Sequence, residues 1–364
     1  MNKKINVAIL FGGKSAEHEV SLQSAKNVFD AIDKEKYNPI LIGIDKSGKW
    51  LSNDSSQLLL DTDSPRLVKL NHSSDTIVLA PQSCGKISSL TGKKNNISID
   101  VAFPILHGPS GEDGTVQGLL KLANIPFVGA SVLGSAVGMD KDVMKRLLRD
   151  ANIPIGKFIV LKAEDSTPDY EDIKERIGSP FFIKPANMGS SVGVSKVHNK
   201  SEYSEAVRFA FDYDLKIIIE EYIKGREIEC SVLGNSNPIA SVPGEIIPQH
   251  EFYSYEAKYI DENGAHLKIP AKIPNKITEQ IQYLAIKTFQ ILSCEGLARV
   301  DFFLKENGNV FVNEINTIPG FTKISMYPKL WEATGISYTD IIDRLIQLAI
   351  ERYEKEQKLK TSYT

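Results

Sequence analysis

The most chemically specific pattern in the chain is Arg299-Val-Asp301 followed by Asn313-Glu-Ile-Asn316. On a strand, alternate residues face the same side, so Arg299 projects with Asp301, and Glu314 with Asn316. Two carboxylates and an amide oxygen on neighbouring strands make a hard oxygen site that suits Mg²⁺, with water and nucleotide phosphates as further ligands. In a largely apolar run, FVNEINTIPGF, such groups are costly unless paired or bound to metal. The plainer alternative is the solvent-facing side of an antiparallel sheet. A second pattern, Phe181-Phe-Ile-Lys184-Pro185, leads into Gly189-Ser190-Ser191-Val-Gly193. A lysine on a strand beside small, flexible residues could bring charge and backbone N–H groups to phosphate oxygens. It lacks P-loop spacing, and a plain turn would also account for the glycines.

Three further segments carry polar groups at element ends. Gly138-Met-Asp140-Lys141 precedes a helical pattern, and Lys141 alone reads as a surface lysine. His107-Gly-Pro-Ser-Gly111-Glu112-Asp113-Gly114 follows a strand, where open α/β sheets bind ligands. Glu112 or Asp113 could instead cap the helix at 116–123. His107 reads either as a base or as a structural histidine. In Gly12-Gly-Lys-Ser-Ala-Glu17-His-Glu19, a glutamate could sit in the first helical turn, favoured by the macrodipole, or hold an incoming ammonium group.

These groups need elements to hold them. Residues 5–11 (INVAILF) form a continuous apolar run ending in two glycines, the pattern of a buried parallel strand. A helix at 21–32 and a strand at 37–44 complete a βαβ unit, and residues 100–106 read as another buried strand. Residues 52–94 read as surface excursions with weak strand signals. Short strands at 158–161, 181–184 and 216–221 surround a helix at 201–213. Strands at 227–233, 298–304 and 310–315 then alternate with amphipathic helices at 277–292 and 338–354. The 364 residues exceed what one core usually serves, and the texture divides into parts 1–140, 141–221 and 222–364. A net charge of −3 gives no general attraction to nucleic acid or anionic membrane. Cys84, Cys230 and Cys294 lie far apart and read as free thiols of a reducing compartment. No apolar run approaches the ~18 residues of a membrane span, and the start lacks a signal-peptide pattern, so a cytoplasmic protein is expected.

Together these segments resemble the D-alanine–D-alanine ligase family of the ATP-grasp superfamily. The resemblance rests on FGGKSAEHEVSL (11–22), HGPSGEDGTVQG (107–118), GMDK (138–141) and IKPANMGSSVGVSK (183–196). It continues through EFYSYEAKY (251–259), ARVDFF (298–303) and NEINTIPGFTKISMYP (313–328). It implies an α/β chain: an N-terminal open parallel sheet domain, then two α+β ATP-grasp domains clamping the nucleotide. It implies ATP-dependent joining of two D-alanines through a D-alanyl phosphate, for peptidoglycan precursor synthesis. D-alanine–D-serine and D-alanine–D-lactate ligases are the alternatives. The implied cofactors are ATP and two Mg²⁺ ions, for which Mn²⁺ could substitute, and the implied assembly is a homodimer. By position, Lys141, Lys184 and Lys258 would contact phosphates. Glu220, Glu221 and Ile223 would meet the adenine, and Glu227 the ribose. Asp301, Glu314 and Asn316 would hold metal. Glu17 would hold the first D-alanine's ammonium with His107 nearby, and Ser325 and Met326 would line the second pocket. Arg299 and the Gly320 N–H would form the oxyanion site. Ser190 and Tyr259 would link to Glu17 and close a lid at 251–263.

Overall fold

The run at 5–11 is apolar on both sides because strand β1 (Ile5–Gly12) lies in a sheet covered on both faces. Val7, Ile9 and Phe11 enter one core, and Ala8 and Leu10 the opposite one. In the computed structural model, which describes residues 3–52, 75–90, 97–248 and 265–363, the chain is built on three sheets. In the first, β1 pairs in parallel with β2 (Tyr37–Ile44) and β6 (Val101–Ile105), linked through helix α1 (His18–Ala31). Strands β3 (Trp50–Ser52), β4 (Asp75–Leu79) and β5 (Ile87–Ser89) then extend this sheet antiparallel beyond β2. The expected parallel sheet is therefore parallel only around β1, and Ile77, Leu79 and Ile87 are core residues rather than surface ones. Helix α2 (Thr115–Leu122) covers the same face with Val116 and Leu120.

Helices α3 (Val132–Met139) and α4 (Lys141–Asp150) follow. Asp140 starts α4 by accepting from the backbone N–H groups of Asp142 and Val143, both at 3.1 Å. The second sheet runs β7 (Phe158–Lys162), β10 (Lys216–Glu221), β8 (Phe181–Pro185), β9 (Ser195–Val197). All its pairs are antiparallel. Helices α5 (Tyr170–Ile177) and α6 (Lys200–Phe211) pack on its apolar face, where Phe181, Ile183, Ile217 and Ile219 are buried. The third sheet runs β14 (Ala265–Lys268), β13 (Gly244–Pro248), β11 (Arg226–Gly234), β15 (Gly296–Leu304), β16 (Val310–Asn316), with β12 (Ile239–Ala240) beside β11. Helix α7 (Asn275–Ile291) covers its apolar face through Ile281, Leu284, Ala285 and Phe289.

The last elements, α8 (Met326–Ala333) and α9 (Tyr338–Gln357), return to the start of the chain. Ile341, Ile342, Leu345 and Ile346 of α9 share one core with Val7, Ile9 and Phe11. Each such side chain contributes about 2 kcal/mol by leaving water. Tyr37 Oη donates to Asp343 at 2.8 Å and accepts from Gln347 Nε2 at 2.8 Å. Arg352 donates to the carbonyls of Gly129 and Phe127 at 2.6 and 2.7 Å. The three cysteines are free. Among the described residues no helix is long and apolar enough to cross a membrane.

Candidate active site

Glu17 lies just before α1, and its carboxylate is buried. Ser190 Oγ donates to Glu17 Oε1 across 173 positions of sequence. Ser190 and Ser191 have φ of 51° and 60°, and Gly193 71°. This left-handed run turns the loop after β8 towards Glu17. A Cβ on Gly189 would stand 3.4 Å from Glu17 Oε2, so the loop backbone lies in van der Waals reach of the carboxylate. Glu19, the other glutamate of that segment, is exposed and pairs with Lys46 at 2.6 Å.

His107 and Glu112 flank Glu17. His107 Nδ1 donates to Ile318 O at 3.0 Å, and Nε2 has no partner among the described residues. Burial pushes the imidazole pKa down against the opposing charge of Glu17, so the ring is neutral with Nε2 as acceptor. Glu112 is not a helix cap. It is buried and accepts from Gly108 N–H at 3.2 Å. Burial, then the charge of Glu17, push its carboxyl up to about 8. Asp113 does the local turn work, accepting from Ser110 and Thr115 N–H at 2.8 and 2.9 Å.

A cluster of buried lysines lies alongside. Lys141 is not a surface residue: it is 8% exposed, and its Nζ donates to Met188 O at 2.6 Å and lies 3.8 Å from Glu314. Lys145, one helical turn later, lies 2.9 Å from Glu220 Oε1 and donates to Asn313 O at 3.3 Å. Lys184 reaches the other oxygen of Glu220 at 2.6 Å. Burial lowers the pKa of Lys141 and Lys145. For Lys184 burial acts the same way, but Glu220 and Glu314 outweigh it and raise the pKa. Burial likewise opposes the ionisation of Glu220, yet Lys145 and Lys184 hold its pKa low. Three ammonium groups around two carboxylates give a pocket with positive bias, suited to a polyanion. Glu220 thus turns to the lysines, because it shares a strand face with Ile218, the register partner of Lys184. Its neighbour Glu221 accepts from Lys157 N–H at 2.7 Å, Ile223 is buried, and Glu227 is half-buried on β11.

The third sheet supplies the opposite wall. Register places Asp301 beside Glu314 and Arg299 beside Asn316. Between Asp301 and Phe302 the pairing skips Asn313, a bulge that leaves its carbonyl available to Lys145. Arg299 Nε and Nη2 each donate to Asp301 at 2.7 Å, and Asn316 Nδ2 donates to Asp301 Oδ2 at 3.0 Å. Arg299 Nε also lies 2.9 Å from Glu229. Flanking carboxylates raise the Arg299 pKa well above the ordinary range against the effect of burial. Gly320 lies against Ser325, whose Oγ accepts from Thr322 N–H at 3.0 Å. Met326 is buried with Ile246 and Leu330, so its side chain belongs to a small apolar cluster.

Family models match most of the chain. The D-ala D-ala ligase N-terminus model covers residues 6–130, and the D-ala D-ala ligase C-terminus model covers 147–347. The chain belongs to the D-alanine–D-alanine ligase family. The D-alanine–D-alanine ligase of Oceanobacillus iheyensis is 55% identical over 364 residues, covering 100% of this chain and 99% of that one. The solved D-alanine–D-alanine ligase of Coxiella burnetii matches at TM-score 0.87 and 42% identity, over 98% of this chain and 96% of that one. The VanG D-Ala:D-Ser ligase of Enterococcus faecalis matches at TM-score 0.83 and 36% identity, over 95% of this chain and 100% of that one.

In this ligase-family site, sequence reasoning missed Lys145 and Glu229. Lys145 had a signal, being four residues after Lys141 on one helix face. Glu229 also had one, because Glu227, Glu229 and Ser231 alternate along a strand. Lys258, Tyr259 and the segment 251–263 lie outside the described residues. The donor set fits Mg²⁺ in kind: hard oxygens of Asp301, Glu314 and Asn316 on adjacent strands. Among the described residues no three Asp, Glu, His or Cys side chains form a metal-holding group alone. Two carboxylates and an amide need phosphate and water oxygens to complete a shell, the usual way Mg²⁺ sits with a nucleotide.

Proposed function

We propose that the chain joins two molecules of D-alanine into D-alanyl-D-alanine at the expense of ATP, through a D-alanyl phosphate. What supports this reading most is the full-length 55% identity to a D-alanine–D-alanine ligase. The site chemistry agrees. Lys141 and Lys184 would take the ATP phosphates, with Lys145 adding positive charge behind them. Glu220, Glu221 and Ile223 would flank the adenine, Glu227 the ribose, and Lys258 would also reach the phosphates. Asp301, Glu314 and Asn316 would hold two Mg²⁺ ions, which supply charge neutralisation during phosphoryl transfer.

Glu17 would hold the ammonium of the first D-alanine, with His107 presenting its Nε2 acceptor beside it. The carboxylate of that first D-alanine attacks the γ-phosphate, expelling ADP, and becomes an acyl phosphate. The amine of the second D-alanine, held near Ser325 and Met326, then attacks the acyl phosphate carbonyl, and the tetrahedral oxyanion collapses with loss of inorganic phosphate. Arg299 and the Gly320 N–H would stabilise the oxyanion, a donor set worth about 3 kcal/mol per lost member. Ser190 and Tyr259 would link to Glu17 and keep water from the acyl phosphate. The three sheets support a division near residues 140 and 221, although α9 crosses back to the first sheet. We place the enzyme in the cytoplasm as a homodimer. The test is whether phosphate release from ATP depends on D-alanine, with D-alanyl-D-alanine as the product. D-Alanine-independent release, or a preference for D-serine or D-lactate as acceptor, overturns the reading.

A further inference from the structure

The ladder of β11, β15 and β16 sets Glu229, Asp301 and Glu314 side by side on three consecutive strands. Three carboxylates in one row repel unless cations lie among them. Arg299, two residues from Asp301 on the same face, is one such cation. Its Nε lies 2.7 Å from Asp301 Oδ1 and 2.9 Å from Glu229 Oε2, while Nη2 donates to Asp301 Oδ2 at 2.7 Å. One guanidinium is thus hydrogen-bonded by Asp301 and lies at ion-pair distance from Glu229 on the neighbouring strand. Glu229 is 5% exposed, too deep to be a solvated surface acid.

The two carboxylates differ in what else they are asked to do. In the ligase reading, on which this inference rests, Asp301 holds metal with Glu314 and Asn316. A carboxylate that gives its oxygens to a divalent cation loses most of its hold on a neighbouring guanidinium, and the metal itself repels arginine. Glu229 lies on the far side of Asp301 from Glu314, outside that metal set, with its carboxylate 2.9 Å from Arg299 Nε. We propose that Glu229 is the positioning residue that holds Arg299 on the reacting carbonyl while Asp301 is occupied with metal. An oxyanion donor works only if it is already aimed when charge develops. Phosphoryl transfer is served by the lysines and the metal, and oxyanion stabilisation by Arg299. Loss of Glu229 therefore separates the two halves of the reaction.

The test uses the full chain with Glu229→Gln, which keeps shape and an acceptor but removes charge, and Glu229→Asp, which restores charge. ADP release and dipeptide formation are measured in the same reaction with ATP, Mg²⁺ and D-alanine. Mg²⁺-dependent binding of a non-hydrolysable ATP analogue is measured by calorimetry. For Glu229→Gln, dipeptide kcat falls about 10- to 100-fold, the usual effect of losing a supporting partner. KM for ATP and analogue affinity stay within about twofold, and ADP release exceeds dipeptide as water takes the acyl phosphate. Glu229→Asp recovers part of the coupling, and shows the same split in milder form if the Gln variant does not fold. Dipeptide kcat within about twofold of the parent overturns the proposal. So does an equal loss of analogue affinity, which would make Glu229 a metal or nucleotide ligand. If the parent chain itself shows no D-alanine-dependent ADP release, the ligase reading fails, a distinct outcome.

Discussion

Single side chains in this site are defined by their opposite charges. Glu314 sits in register with Asp301 and 3.8 Å from Lys141, where metal and nucleotide phosphate would meet. Glu314→Gln is expected to leave the fold intact and abolish turnover. Mg²⁺-dependent affinity for an ATP analogue should fall at least about tenfold by calorimetry. Circular dichroism should be unchanged, and a folded variant with near-parent rate would remove Glu314 from the metal set. Glu112 gives a pH signature. Its carboxyl ionises near 4.5 when unfolded and at about 8 in the folded chain, because it is buried beside Glu17. Between those values the folded chain holds a proton that the unfolded chain has lost. Stability from this group is therefore full below about pH 4.5 and is lost as the pH rises through about 8, at up to about 1.4 kcal/mol per unit. Thermal melts should show Glu112→Gln losing less stability than the parent between about pH 6 and 8. Equal slopes would mean that Glu112 is ionised in the folded chain.

At the scale of elements, the loop after β8 is tied to α1 by the Ser190–Glu17 hydrogen bond and to α4 by Lys141 on Met188 O. Ser190→Ala removes one tie to a charged group, about 1.5–3 kcal/mol. Hydrogen exchange at 187–193 should quicken, and kcat/KM for D-alanine should fall about tenfold or more. Unchanged exchange would show that Lys141 alone holds the loop. Strong periodicity made β1, β2, β10 and the inward faces of β15 and β16 legible in the sequence, because burial on one or both faces writes directly into the pattern. Helices α3, α5 and α8 and the strands β4 and β5 were not, since short elements leave too few turns or alternations to register. Pairing across sheets was equally hidden. Nothing near Glu220 announces that Lys145 and Lys184 would take one oxygen each, because that contact depends on how α4 crosses β10.

For the whole molecule, the joint core of β1, α1 and α9 is decisive. Leu345 of α9 is buried against side chains from the first third of the chain. Leu345→Ala is expected to cost about 2–5 kcal/mol. Because that core spans both ends, the loss should lower the melting of the N-terminal sheet and of α9 together. Scanning calorimetry with exchange mapping would check this, and a melt of α9 that leaves β1 protected would contradict it. The same closure bears on how the chain is made. At ribosomal speeds of about 5–20 residues per second, β1 emerges long before the helix that seals one of its faces. The nascent N-terminal part therefore spends that interval with part of an apolar face uncovered. The growing polypeptide is expected to be a chaperone client until α9 has emerged, with native packing of that core arising only then.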